Sequence, residues 1–114
     1  MRDLTVLMAE EGGEVLGYTG CGSNRDDDAG DGVGEVRSLF VVPSSWGAGV
    51  GRALIGAALD DLRSRGYSEA IVWSFTANDR ANGFYESFGF ARDGAERTED
   101  RFADIPSVRF RRSL

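Results

Sequence analysis

The alternation of apolar and polar residues predicts four strands in the first two thirds of the chain. Leu4–Ala9 and Val15–Gly22 are short apolar segments on either side of the turn Glu11–Glu14, which is the pattern of a hairpin. Gly34–Val42 is a third segment of this kind. Glu69–Phe75 is apolar enough to predict a strand in a central position of a sheet.

Two further segments repeat apolar residues every three or four positions, the spacing of a helix with one buried face. The first helix is expected over Gly49–Arg65. The second is expected over Asp79–Phe88, with either Asn78 or Thr76 as its N-cap. Its buried face is predicted to consist of its alanine and its aromatic residues, namely Ala81, Phe84, Tyr85 and Phe88.

Closing strands are expected at Phe90–Arg97 and Ser107–Arg112, which completes the order β-β-β-α-β-α-β-β. Each strand–helix–strand unit needs parallel pairing, whereas the hairpin needs antiparallel pairing. The expected fold is therefore an α/β (α+β) mixed sheet. The length of the chain predicts a single domain over residues 1–114.

An acidic, glycine-containing loop, Asn24–Gly32, separates the second and third strands. A calcium-binding loop would place Gly at its sixth position and Glu at its twelfth. Counted from Asp26, those positions hold Asp31 and Arg37, so the calcium pattern is absent. We expect a solvated, mobile loop at this point of the chain.

Composition narrows the classes of function. The 114 residues are 41% hydrophobic, and neither a membrane-spanning apolar run nor the apolar region of a signal peptide is evident. Cys21 is the only cysteine and histidine is absent, which excludes an internal disulfide, a His-activated nucleophile and a His metal site. The net charge of -6 argues against nucleic acid as a partner. We expect a cytoplasmic protein that uses no metal and contacts no membrane.

The segment from Val36 to Leu54 carries the strongest chemical signal. Its strand runs into Pro43, and Gly47, Gly49 and Gly51 mark the turn and the helix start that follow. Glycine lets a backbone approach a ligand closely, and the first amides of a helix have no internal partners and bind phosphate. A Walker loop needs Lys and Ser/Thr after its last glycine, and the dinucleotide fingerprint needs glycines at relative positions one, three and six. Neither pattern is present.

What remains is a strand, a proline and x-x-Gly-x-Gly at a helix start, which resembles motif A of the GNAT N-acetyltransferase superfamily. The usual motif begins with Arg or Gln, and Trp46 stands in that position here. The stretch Asn78–Phe90 resembles motif B of the same family, Asn-x-x-Ala-x-x-Phe-Tyr-x-x-x-Gly-Phe, at every named position. The two motifs follow each other in the family's order, and the resemblance extends from Leu4 over nearly the whole chain.

The resemblance implies a sheet whose central strand pair is splayed, with a bulge in the third strand, to admit acyl-CoA. It implies that pyrophosphate lies on the amides of Gly47–Arg52 and that main-chain groups of Leu39 and Val41 pair with pantetheine. The amide of Leu39 or Phe40 would stabilise the oxyanion. The implied cofactor-binding residues are Leu39, Phe40, Val41, Trp46, Gly47, Ala48, Gly49, Val50, Gly51, Arg52, Asn78 and Tyr85.

Tyr85 is, by resemblance, the general acid that protonates the departing thiolate. Glu35 is the candidate base, since it precedes the cradle on a strand where many family members carry an acidic residue. The alternative is that Glu35 is a solvent-facing strand carboxylate. Strict alternation places Glu35 on the same face as Leu39 and Val41, and a bulge would change that face.

Two further residues of the implied set have two interpretations each. Asn78 either contacts the pantetheine arm or caps the second helix, and both roles use its side-chain oxygen. Arg52 either reaches a phosphate or is an ordinary exposed helix arginine.

We therefore expect an N-acyltransferase that moves an acetyl group from acetyl-CoA to a primary amine by direct attack. The alternative is a non-catalytic acyl-CoA-binding sensor or assembly module. The amine acceptor and the length of the acyl group stay open, although the acidic charge balance favours a cationic amine. The strand and two helices that usually begin this fold are absent from this sequence, so we expect an N-terminally abbreviated domain with an exposed sheet face. A homodimer, a partner or upstream domain, or further residues of a longer chain could cover that face, and we favour the homodimer.

Overall fold

The computed structural model describes residues 3–99 and 104–114. Its elements occur in the predicted order and form a six-stranded sheet of order β1-β2-β3-β4-β6-β5. The elements are β1 (Thr5–Glu11), β2 (Glu14–Ser23), β3 (Val33–Val41), α1 (Val50–Ser64), β4 (Glu69–Phe75), α2 (Asp79–Ser87), β5 (Ala91–Glu99) and β6 (Ile105–Ser113). The predicted mixed fold is confirmed, and most element ends differ from expectation by about one or two residues. Neither helix of the described residues is long and apolar enough to cross a membrane.

The first compact unit extends to Ala70 and includes Leu114. In it β1, β2 and β3 pair antiparallel, and α1 lies across one face of this three-stranded sheet. Close packing requires a glycine at position 17, because a Cβ there would lie 2.5 Å from the Phe40 carbonyl oxygen of β3 and 3.1 Å from Leu54 Cδ1 of α1. The buried apolar residues that the sheet and α1 contribute to this unit are Cys21, Val33, Val36, Leu54, Ile55, Ala58, Leu59 and Leu62.

The face of this three-stranded sheet opposite α1, called the open face below, carries exposed apolar side chains. The strand register places Met8 opposite Tyr18 and Tyr18 opposite Phe40, so these three side chains form a row across β1, β2 and β3. The rings of Tyr18 and Phe40 lie 5.7 Å apart. Leu4 and Val6 extend the row, and all five side chains are exposed.

The bulge implied for the third strand is present in β3. Ser38 pairs with Gly20 and Val36 pairs with Cys21, so Arg37 is an extra residue on the β3 side. The extra residue shifts the alternation of side chains by one position. Residues before the bulge therefore lie on the face opposite to the one that strict alternation predicts.

This shift decides the face on which Glu35 lies. Cys21 Sγ lies 3.9 Å from the carbonyl oxygen of Ala58 in α1, so its cross-strand partner Val36 also faces α1. Glu35 is the next residue along β3 and points to the other side, the side of the open face. The expectation from strict alternation, that Glu35 shares a face with Leu39, is wrong, and the bulge is the reason.

The side chain of Asn24 makes hydrogen bonds within the loop between β2 and β3. Asn24 Nδ2 donates hydrogen bonds of 2.7 Å to the carbonyl oxygens of both Gly30 and Val33. Asn24 Oδ1 accepts a bond of 2.9 Å from the amide of Asp26, which is a local Asx turn. Ala29 is buried within the loop. Most of the other loop residues are exposed, as expected for a solvated loop, and its mobility stays a prediction.

The second compact unit runs from Ile71 to Ser113. Its strands β5 and β6 pair antiparallel, and α2 packs through Tyr85 against Phe90 and Phe110, with ring centroids 5.9 and 6.1 Å apart. The buried positions of α2 are Asn82 and Tyr85, whereas Phe84 and Phe88 are only half-buried. The prediction of the buried face of α2 is thus correct for Tyr85, and it omitted Asn82.

Candidate functional site

The predicted site residues are divided between the two units. Glu35, Leu39–Val41 and the cradle, defined as Gly47–Arg52, belong to the first unit. Asn78 and Tyr85 belong to the second unit.

The turn before α1 is built from glycines in the left-handed region. Gly47 has φ 82° and Gly49 has φ 86°, and a Cβ at either would meet nothing within 4 Å. Their requirement is therefore conformational, because other residues are strained at such angles while glycine is not. Gly49 occupies the N-cap position, from which the chain enters the helix at Val50.

The first turn of α1 has neither a side-chain cap nor an acidic residue. The amides there lie at the positive end of the helix dipole. An anion that accepts their hydrogen bonds would satisfy them, and phosphate does so at many helix starts. Arg52 is exposed in the same turn, which keeps both of its predicted roles open.

Main-chain groups at the end of β3 point away from β2 at alternate residues. The Val42 amide donates to the Leu16 carbonyl of β2 over 2.9 Å. By alternation, the amide and carbonyl of Val41 and of Leu39 point away from β2, whereas those of Phe40 point toward it. Of the two predicted oxyanion donors, this geometry favours the amide of Leu39, because the amide of Phe40 is directed into the ladder with β2.

Trp46 does not aim its one polar group at the cradle. Its indole Nε1–H donates a hydrogen bond of 2.7 Å to the carbonyl oxygen of Val41. The side chain is otherwise half exposed, at 52%. Trp46 therefore contributes no charge to phosphate binding, unlike an arginine at the same position.

Glu35 is buried, with 1% of its surface exposed, and it is paired with Arg25 from the loop after β2. Its Oε1 accepts from the Arg25 backbone amide at 3.1 Å and from Nε at 3.3 Å, and its Oε2 accepts from Nη2 at 3.0 Å. The alternative of a solvent-facing carboxylate is wrong. A carboxylate offers about four lone-pair sites, so these bonds leave about one for another donor.

The sequence held a signal for this pair that went unused. Arg25 is the only basic residue of the loop Asn24–Gly32. A lone cation among aspartates next to a strand carboxylate is a candidate for an ion pair. Its pairing with Glu35 depends on the bulge in β3, which turns Glu35 toward the side of the open face.

Asn78 is the N-cap of α2, and its Oδ1 accepts a hydrogen bond of 3.1 Å from the Ala81 amide. Thr76 does not fill that position. The cap uses one lone pair of the Asn78 oxygen, so a contact with pantetheine, which stays a prediction, could use the second lone pair or the Nδ2 group.

Tyr85 is buried, and desolvation raises the pKa of its phenol to about 12. No charged neighbour contributes to that shift among the residues that the structure describes. The phenol therefore keeps its proton throughout the neutral range, which a hydrogen-bond donor to a departing sulfur requires.

Asn82 is a buried polar residue that the sequence reasoning missed. Its Nδ2 donates to the carbonyl oxygens of Phe75, at 3.3 Å, and Thr76, at 3.1 Å. Two carbonyl partners fix the orientation of this amide, because only its nitrogen can donate to them. Asn82 thereby ties α2 to the end of β4, and places Tyr85, one helical turn further on, along the same buried stripe.

The comparisons with known proteins agree with this geometry. The model of the acetyltransferase (GNAT) family matches residues 1–90. Mycothiol acetyltransferase of Thermobispora bispora is 38% identical over 87 residues, which cover 75% of this chain but only 30% of that relative. The chain thus spans less than a third of that relative's length.

Two solved structures share the fold. A ribosomal-protein-alanine N-acetyltransferase of Brucella melitensis superposes with a TM-score of 0.83 at 24% identity, over 97% of this chain and 69% of that one. The PaiA N-acetyltransferase of Thermoplasma acidophilum, solved in complex with coenzyme A, gives a TM-score of 0.79 at 16% identity, over 98% and 62% of the two chains.

The strand order, the glycine turn after β3 and these superpositions define the fold as that of the N-acetyltransferases. The family match covers most of the sequence. The chain belongs to the acetyltransferase (GNAT) family.

Proposed function

We propose that this protein is an acetyl-CoA-dependent N-acetyltransferase acting on a primary amine. The observation that carries the proposal is the uncapped start of α1, directly after a β3 end whose Leu39 and Val41 main-chain groups point away from β2. The first feature suits a pyrophosphate and the second suits the amides of a pantetheine arm. The splayed strand pair implied by the resemblance belongs to this proposal.

In the proposed reaction the amine attacks the thioester carbon and the carbon–sulfur bond breaks. The Leu39 amide stabilises the oxyanion, Glu35 accepts the proton of the amine, and Tyr85 donates a proton to the thiolate. The chain's own groups supply each of these roles, so the proposal needs no metal. Names of relatives that specify an acetyl group support acetyl as the acyl group. The buried, single Cys21 supports a reducing, cytoplasmic location.

Coenzyme A should raise the melting temperature of the protein by mass action, because it binds the folded chain alone. At 100 times its dissociation constant, a ligand adds about 2.7 kcal/mol to the free energy of unfolding. Thermal unfolding with coenzyme A measures binding, and release of free thiol from acetyl-CoA over a panel of amines measures turnover. If millimolar coenzyme A leaves the melting temperature unchanged, the assignment of the cradle as the pyrophosphate site is wrong.

The second candidate function is a non-catalytic acyl-CoA sensor. The observation that favours it is the Arg25–Glu35 pair, which already uses most of the acceptor capacity of the proposed base. A sensor would show the thermal shift with coenzyme A and no thiol release with any amine. An enzyme would show both.

We also propose that a second copy of the chain covers the open face. The row Leu4, Val6, Met8, Tyr18 and Phe40 is exposed and uncharged, so the same surface can meet itself across a two-fold axis. Contiguous exposed apolar surface of this kind is typical of an interaction site. A charged partner would have no favourable contact with this apolar row. A second copy of the chain brings its own apolar row, so self-association buries both rows.

Met8→Glu should convert a dimer into a monomer, because it places two like charges in the middle of the buried row. Light scattering measures the mass, with far-UV circular dichroism to verify the fold. Ile105→Glu is the matched control, since Ile105 is an exposed apolar strand residue of the second unit. Dissociation by Ile105→Glu and not by Met8→Glu would instead assign the interface to the closing strands.

A further inference from the structure

Trp46 occupies an acceptor that the proposed substrate needs. The carbonyl of Val41 points away from β2, the direction in which β3 would pair with a pantetheine arm. In this structure that carbonyl accepts the indole N–H of Trp46 over 2.7 Å. The indole thus uses, from within the chain, one of the two lone pairs with which this carbonyl could accept an amide of the ligand.

The turn holds the indole in that position. The Trp46 amide donates to the Pro43 carbonyl at 3.2 Å, which closes the turn before the helix. Gly47 then adopts φ 82° and carries the backbone on toward α1, while the ring of Trp46 returns to the end of β3.

The ring can leave without opening the core. Trp46 is 52% exposed, and none of the buried core residues of the first unit belongs to the turn. Release of the indole therefore breaks its hydrogen bond to Val41 and leaves the buried core of the first unit in place. An indole offers a single donor and no acceptor, so once Nε1 is bonded to Val41 it has no polar group left for phosphate.

We propose that Trp46 is a gate on the acyl-CoA site, with its indole closing the Val41 carbonyl in the free protein and being displaced by the pantetheine arm. This inference rests on the proposed function, since it assumes that pantetheine pairs with β3. The gate acts only on ligands that carry the arm. A nucleotide that fills the cradle alone does not need the Val41 carbonyl.

Trp46→Phe tests the gate, because it keeps an aromatic ring and removes the N–H. The variant should bind coenzyme A about 2- to 12-fold more tightly, the equilibrium equivalent of one net hydrogen bond that no longer has to be broken. Adenosine 3′,5′-bisphosphate lacks the pantetheine arm and should bind the variant and the wild type equally. Isothermal titration of both ligands measures the difference.

The chain offers a matched control in its other tryptophan. Trp73→Phe makes the same substitution at the tryptophan that does not bond the Val41 carbonyl, so it should not reproduce the tighter binding of coenzyme A. In that background Trp46 is the only tryptophan. Its fluorescence should change with coenzyme A and stay constant with adenosine 3′,5′-bisphosphate.

The outcomes separate the gate from the function on which it rests. If Trp46→Phe binds coenzyme A no more tightly than the wild type, the gate is overturned while the acyl-CoA site stands. If the wild type binds neither coenzyme A nor adenosine 3′,5′-bisphosphate, both the site and the gate are overturned. Tighter binding of coenzyme A alone, with the fluorescence change, supports the gate.

Discussion

Tyr85→Phe should lower the rate of acetyl transfer by about 10²–10⁴-fold, the usual contribution of a general acid. The substitution removes only the hydroxyl, so the ring contacts with Phe90 and Phe110 are kept. The affinity for coenzyme A should stay near the wild-type value, because the phenol acts on the sulfur only as the thiolate leaves. Steady-state thiol release and coenzyme A titration together separate the two effects.

The alkaline stability of the protein provides a check that Tyr85 is buried as described. Burial raises the pKa of Tyr85 to about 12, against about 10 in an unfolded chain. The neutral phenol is thus favoured by folding, and its contribution to stability is complete below pH 10 and is lost as the pH rises toward 12. Tyr85→Phe should abolish that loss, while the control Tyr67→Phe should leave the rate of acetyl transfer unchanged. A Tyr85→Phe rate within twofold of wild type would remove Tyr85 from the mechanism.

Glu35→Gln should lower the rate near neutral pH by about 10²-fold or more, if Glu35 takes the proton of the amine. The deficit should shrink as the pH approaches that of free-amine deprotonation, about 10 for a lysine-like acceptor. At such a pH the amine needs no base, so the variant and the wild type should converge. A pH–rate profile of both proteins measures this convergence.

Arg25→Gln is the matched control, since it breaks the same ion pair and leaves the carboxylate in place. If Glu35 is the base, Arg25→Gln should retain much of the neutral-pH rate that Glu35→Gln loses. If the pair only anchors the loop after β2, the two variants should lose activity equally at every pH. That second pattern would assign Glu35 a structural role and favour the sensor function.

Local chemistry made most of the fold readable from the sequence. Helix α1 could be placed because glycines precede it and Gly66 follows it, and α2 because Asn78 caps it and Gly89 ends the segment after it. Strand Glu69–Phe75 was predicted to the residue, since its apolar run has polar residues on both sides. These signals lie within a few residues of the element that they define.

The contacts that were missed join segments that are distant in sequence or break a simple period. The pairing of Arg25 with Glu35 depends on where a loop returns to a strand, and the face of Glu35 depends on one extra residue, Arg37. Asn82 was missed because a polar residue on a helix is ordinarily expected on the exposed side. The bond from Trp46 to Val41 needs the three-dimensional path of the turn, which the spacing of glycines does not specify.

The uncapped start of α1 places the stability of the free protein in opposition to its affinity for an anion. A side-chain N-cap contributes about 0.5–2 kcal/mol in other helices, and this helix lacks one. A residue that replaced Gly49 would adopt its φ of 86° only with strain, so glycine leaves these amides without a side-chain cap and open to a phosphate. The ligand itself is then the missing cap, and an anion bound at this turn adds to the free energy of unfolding what a side-chain cap adds in other helices.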